Sequence, residues 1–241
     1  MTDQLSLALD PGRPRLPAGL RPMLHRGESL PFDSADHLFE PVWGGARALA
    51  LVEAADVAAP PGVRFLDREG RPLHELPELH ELPERVAAVS AILDGELVAV
   101  GRDGRSDRRG LRARLRGEQG PPLAYLVFDL LHLDGRDLLG LPLERRRESL
   151  RRLLAPGGNV VALPAIASDG IALHAAVVGQ GLAGVMARQR RSPYLPGVRS
   201  RLWRFIPARP PGPVANEPVA DGPGVAPILA LIQRLPFDEE E

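Results

Sequence analysis

The sequence predicts a mixed α+β domain, and three observations carry that expectation. Short runs of strand composition recur between amphipathic helical stretches, without the regular strand–helix alternation that builds a parallel sheet. No GxxxxGKS/T loop occurs, so the commonest nucleoside-triphosphate cradle of parallel α/β folds is missing. With 241 residues, 44% of them hydrophobic, the chain can bury one large core or two small ones.

Taken in order, residues 1–19, with Pro11, Pro14 and Pro17, predict an extended lead-in, and ordered structure is expected from Leu20. Between Leu38 and Glu53 an acidic and aromatic opening runs into ALALV, the composition of a buried strand. Gly62 to Leu73 alternates apolar and polar residues around Arg68-Glu69-Gly70 and predicts a hairpin. The tandem LHELPE that follows gives way to a helical pattern through Val86 and Val89, with acidic residues favoured at the helix start. Ile92 to Val100 and Leu123 to Asp129 have strand composition, although Asp94-Gly95 equally fits a hairpin turn. Leu143, Leu150, Leu153 and Leu154 share one helical stripe, with arginines covering the rest. A further strand pair is expected at Val160 to Leu163 and Leu182 to Arg188. Residues 208–241 form a Pro/Gly-rich linker with a short apolar segment, ILALIQRL, and an acidic tail, DEEE.

Composition removes several functions. Cysteine is absent, which excludes a disulfide framework, a thiolate metal site and a cysteine nucleophile. No run reaches the ~18 apolar residues of a membrane helix and no basic leader opens the chain, so a soluble cytoplasmic protein is expected. The net charge of −1 gives no overall attraction to nucleic acid, so any such contact has to come from a local patch. All 30 residues counted as Lys+Arg are arginine. A GC-rich coding bias explains the general depletion of lysine, but not which residue replaced it at a given site. Arginine stays protonated and binds phosphates, yet it is a poor nucleophile.

Four short motifs stand in a telling order. Residues 40–47 read EPVWGGAR, residues 94–96 DGE, residues 126–135 LVFDLLHLDG followed by Pro142-Leu143-Glu144-Arg145-Arg146, and residues 181–203 GLAGVMARQRRSPYLPGVRSRLW. Together they resemble the nucleotidyltransferase superfamily of ATP-dependent DNA ligases and mRNA capping enzymes. The resemblance spans Leu20 to Pro207. It implies an adenylation domain of antiparallel sheets flanked by helices over residues 20–207. The 34 residues after Pro207 are too few for the OB-fold that complete ligases add, so no OB-fold is expected.

The same resemblance assigns chemistry to positions. The family's E-x-K-x-D-G-x-R motif supplies a lysine that attacks the α-phosphorus of ATP, and Val42 stands in its place, with Gly44 where the aspartate would be. In the E-G-x-x-x-K motif Ala183 replaces the metal-binding glutamate and Arg188 replaces the lysine. In W-x-K-x-K, Phe205 takes a lysine position. Alanine offers magnesium no oxygen, whereas Arg188 retains a charge able to hold phosphate. The retained positions imply nucleotide contacts: Glu40 for the adenine amino group, Arg47 for ribose or phosphate, Glu96 as the acid of the third motif and Phe128 for stacking on adenine. Without the resemblance, Phe128 reads as a core residue and Glu40 as a surface acid.

Seven arginines lie between residues 102 and 116. Of these Arg105, Arg108, Arg109 and Arg112, together with Arg199, Arg201 and Arg204, are candidates for DNA phosphates; a solvated helix face is the plainer reading. The histidines are dispersed: His74 and His80 match no HExxH arrangement, and Ser192 with His174 lacks a nucleophile elbow, so no metal site and no hydrolase are expected. The expectation for function is a ligase-like domain without catalysis, with an accessory role in DNA repair and recombination through DNA or a protein partner. A noncovalent sensor of ATP or another adenine nucleotide, and an active ligase using an unusual nucleophile, remain as alternatives.

Overall fold

Among the described residues two main sheets, accompanied by one parallel two-stranded pair, bury their inner faces against each other. The computed structural model describes residues 16–54, 60–101, 106–155 and 157–208. In chain order the strands are β1 (Leu24–His25), β2 (Ser34–Val42), β3 (Ala46–Glu53), β4 (Gly62–Leu66), β5 (Ser90–Ala99), β6 (Leu123–Leu133), β7 (Arg136–Asp137), β8 (Val160–Ala162), β9 (Ile166–Ser168), β10 (Gly184–Gln189), β11 (Arg199–Ser200) and β12 (Trp203–Pro207). The α-helices are α1 (Leu82–Arg85), α2 (Arg108–Leu115), α3 (Leu143–Leu153) and α4 (Gly170–Gly179), with a 3-10 turn at Pro77–Leu79.

The smaller sheet runs β12-β10-β2-β9, all antiparallel; the larger runs β4-β3-β5-β6-β7, with β8 parallel to β6. Between them Leu49, Leu51, Ile92 and Leu131 of the larger sheet meet Met186 and Trp203 of the smaller, with Met23 and Tyr194 filling in. The outer face of the larger sheet is covered by the 3-10 turn, α1, α2 and α3, through Leu79, Leu82, Leu111 and Leu150. The outer face of the smaller sheet is covered by α4, whose Leu173 and Val177 pack on Phe39, Val185 and Ile206. Each such fully buried aliphatic side chain contributes about 1.5–3 kcal/mol. The expected α+β architecture of antiparallel sheets flanked by helices is therefore present.

Several local expectations are corrected. The helix through Val86 and Val89 stops at Arg85; Val86 is extended, at φ −102° and ψ 109°, bridges Leu154, and leaves the Ala87 amide to donate to the Leu153 carbonyl. Asp94-Gly95 is no turn but the middle of β5, where a Cβ on Gly95 would lie 2.5 Å from the Tyr125 ring and 2.6 Å from the Leu126 carbonyl. Glycine there permits the close strand approach. The segments at Val160 and Leu182 do form strands, β8 and β10, but they belong to different sheets and do not pair. The hairpin around Arg68-Glu69-Gly70 forms with a short return arm, in which Leu66 bridges Pro72 and the Asp67 and Leu73 amides donate to the Arg71 and Phe65 carbonyls. Two strands at the site, β2 and β12, and the helix α4 went unrecognised in the sequence. Among the described residues no helix is long and apolar enough to cross a membrane. The linker and tail beyond Ala208, and most of the lead-in, lie outside the described residues.

Candidate functional site

Strand alternation places Glu40 and Val42 on the same side of β2, toward the larger sheet. Glu40 is 1% exposed and is ion-paired with two guanidiniums, Arg147 from α3 and Arg188 from β10. Arg147 also donates to the carbonyls of Phe128, at 3.1 Å, and Leu163. The Arg188 guanidinium lies 3.9 Å from the centre of the Phe128 ring and 4.7 Å from that of Trp203. Burial pulls Arg147 and Arg188 down to about 9, still above neutral pH, so both remain cationic toward Glu40.

A second buried pair adjoins the first. Arg47 forks onto Asp94, at 2.5 and 2.6 Å, and its guanidinium sits 4.5 Å from the Phe128 ring centre. Burial opposes the Arg47 charge, but Asp94 outweighs it and raises the pKa. Tyr194 donates to Asp94 at 2.6 Å and accepts the Met23 amide at 2.9 Å. Burial, then the Asp94 charge, push the Tyr194 hydroxyl well above its ordinary value, so it stays a neutral donor. Deeper still, Arg146 forks onto Asp129 at 2.8 Å on both oxygens. Arg146 and Arg147 were expected on the solvent side of α3 and are instead buried, a correction with a geometric cause. They stand three and four residues after Leu143 and four and three before Leu150, on the inward stripe itself.

The loop after β2 is held from below. Glu96 on β5 accepts the Gly45 amide at 2.5 Å and the Trp43 amide at 3.4 Å, and burial raises its pKa against those two bonds. Gly44 adopts φ +75°, and a Cβ there would lie 2.4 Å from Nη2 of Arg108 on α2. An aspartate at this position would be strained and would displace Arg108.

The replaced positions adjoin one another and are apolar. Val42 pairs with Gly184 across β2 and β10, the Ala183 amide donates to the Val42 carbonyl at 3.0 Å, and Met186 pairs with Phe205. Val42 and Phe205 pack into the same cluster as Met186 and Trp203. These residues do not fit ATP with magnesium: no amine or carboxylate stands at Val42, Ala183 or Phe205. Phe128 is only 3% exposed beneath Arg188 and Arg47, so its ring has no free face for a base.

The five residues expected around a nucleotide, Glu40, Arg47, Glu96, Phe128 and Arg188, thus come together, but as partners of one another or of the backbone. The sequence reading missed Asp94, Arg146, Arg147, Tyr194 and Trp203 as members of this network. The leucine stripe around Arg146 and Arg147 was the available signal. Arg108, Arg109 and Arg112 are exposed on α2, while Arg199, Arg201 and Arg204 are exposed on and around β11 and β12; Arg105 lies outside the described residues. Ser192 is buried and His174 bonds the Pro207 carbonyl at 2.9 Å.

Residues 30–205 match the family model described as ATP dependent DNA ligase domain. The multifunctional non-homologous end joining protein LigD of Mycobacterium bovis is 34% identical over 186 residues, covering 76% of this chain and 23% of that protein. A DNA ligase of Natronomonas pharaonis is 36% identical over 136 residues, 53% of this chain and 25% of the relative. Among solved structures, mycobacterial DNA ligase D complexed with ATP and MES superposes with a TM-score of 0.64 at 30% identity, over 78% of this chain and 60% of that one. The chain spans about a quarter of the length of the curated relatives it matches.

Proposed function

The chain belongs to the ATP-dependent DNA ligase domain family, and we propose that within it this domain forms no covalent adenylate and serves instead as an accessory element that holds DNA in strand-break repair. The observation that carries the proposal is the apolar packing of Val42 and Phe205 against Met186 and Trp203, where the family's chemistry needs an amine and charge. The repair setting rests on the end-joining relative. The DNA-holding role rests on six exposed arginines, Arg108, Arg109, Arg112, Arg199, Arg201 and Arg204.

Incubation of the full chain with α-labelled ATP and magnesium, followed by denaturing electrophoresis, tests the first half. No protein-bound label is expected, and a covalent band overturns the proposal. Binding to a nicked duplex tests the second half. If all six arginines take a phosphate, affinity falls roughly a thousandfold between about 50 and 200 mM salt. Binding indifferent to salt, or none, refutes the DNA role.

Noncovalent sensing of adenine nucleotides is the weaker reading, because a base stacking on Phe128 must first displace Arg188. Saturation to 100 times Kd would stabilise the fold by about 2.7 kcal/mol. No shift of Tm with ATP, ADP or AMP is expected.

A further inference from the structure

Helix α4 reads GIALHAAVVG and carries no charged residue. Its inner face meets the smaller sheet, yet its outer face is apolar too: Ile171 is 51% exposed and Val178 45%. A helix that is apolar all round is normally covered on both sides. Beside it Leu30 stands 79% exposed, and a cavity of about 330 Å³ opens among Leu30, Pro31, His174, Pro207 and Ala208. Its lining is mostly apolar. A second cavity, of about 380 Å³, shares Glu28 and Ser29 with the first and is lined by Arg26, Arg201 and Arg204. The surface is thus an apolar groove continued by a basic one.

We propose that the chain's own C-terminal segment covers this surface, with the apolar stretch Ile228–Leu235 in the groove beside α4 and the acidic residues Asp238, Glu239, Glu240 and Glu241 on Arg26, Arg201 and Arg204. Three observations select this occupant. The order of chemistry matches, since an apolar stretch is followed by four carboxylates. The described chain leaves at Ala208, which is itself part of the groove wall. The 19 residues from Arg209 to Pro227 are enough chain to carry Ile228 from Ala208 along the length of α4, about 15 Å, and a tethered segment meets its own groove at an effective concentration on the order of millimolar. A second copy of the chain at micromolar concentration does not compete with that. Docking gives α4 the outer layer that its composition calls for and sets carboxylates on three arginines, so DNA phosphate has to displace the acidic tail from Arg201 and Arg204 before those two contribute to duplex binding.

The chain has no cysteine, so two introduced cysteines are the sole attachment points for spin labels. The full chain carrying Ile171→Cys and Gln233→Cys is labelled at both, and the distance distribution is measured by pulsed electron resonance. A narrow distribution centred below about 25 Å is expected, set by the length of the docked segment. Adding Leu229→Asp and Leu231→Asp is expected to broaden it. Replacing the four acidic residues by their amides, or raising salt, is expected to broaden it in part. A broad distribution that the two aspartates leave unchanged overturns the proposal. So does a short distance in an equimolar mixture of singly labelled proteins, which identifies a second copy as the occupant. Circular dichroism and Tm of each variant establish that the domain remains folded.

Discussion

Glu40→Ala removes the single anion that faces two buried guanidiniums. Arg147 keeps its bonds to the Phe128 and Leu163 carbonyls, and Arg188 keeps the Phe128 and Trp203 rings, but neither retains a carboxylate. Removing one partner of a buried ion pair costs about 3–5 kcal/mol, chiefly through the uncompensated charge that remains. In a chain of this size each kcal/mol lowers Tm by about 2–4 °C, so a fall of about 6–20 °C is expected in scanning calorimetry at pH 7. Adding Arg188→Met to Glu40→Ala should recover part of the loss, because an apolar side chain leaves one orphaned cation fewer. A Tm within about 2 °C of the parent for Glu40→Ala would refute the reasoning. It would mean that Glu40 is solvated and available to a ligand. The magnitude also separates two roles for the residue: a ligand contact is cheap to remove in the free protein, and a structural counter-ion is not.

Val42→Lys restores the missing amine but places it against Met186, Trp203 and Phe205; we expect no label from ATP and a lowered Tm, and labelling by this single variant would show that the remaining positions are dispensable. Gly44→Asp should cost about 1–2 kcal/mol from the positive φ, while the exposed Arg108 guanidinium moves aside; urea denaturation reads it, and adding Arg108→Ala should not recover the loss. Glu78 gives a pH signature. Burial pushes its pKa up, but the forked bond from Arg114 and the Leu123 amide outweigh that and hold it below the ordinary 4.5. Its stabilisation is therefore complete above that value and is lost as pH falls through the lowered folded value. Glu78→Gln should flatten the acid limb of stability measured by urea titration below pH 4.5, and an unchanged limb counts against the assignment.

The sheets were legible where composition is unambiguous. ALALV and ILDGELVAV each fill a central strand, and LAYLVFD is most of β6. Strand β2 was harder, because SADHLFEPV carries Asp36, His37 and Glu40 and ends beside a proline; its strand character comes from pairing with β10 and β9 rather than from its own composition. Glu40, Arg47, Phe128 and Arg188, which the motifs picked out, converge in space. What they could not tell is that these groups satisfy one another. That follows from Arg147 reaching Glu40 across 107 residues of sequence, a contact with no local signature. Arg146 and Arg147 illustrate a different limit, in which residue type argued for solvent while position on the helix argued for the core, and position decided.

The shared packing of Val42, Met186, Trp203 and Phe205 bears on how substitutions at these positions combine. Residues in contact are non-additive, so the effect of restoring any one of them depends on the state of the others. A lysine at 42 would arrive in a hydrocarbon neighbourhood until Phe205 also changed, and a lysine at 205 would meet the same obstacle from Val42. A glutamate at 183 gains no metal partner before either. Each single polar substitution in the cluster is therefore disfavoured on stability grounds. The cluster thus behaves as a cooperative unit, which resists charge introduced one residue at a time and admits it only through coordinated change.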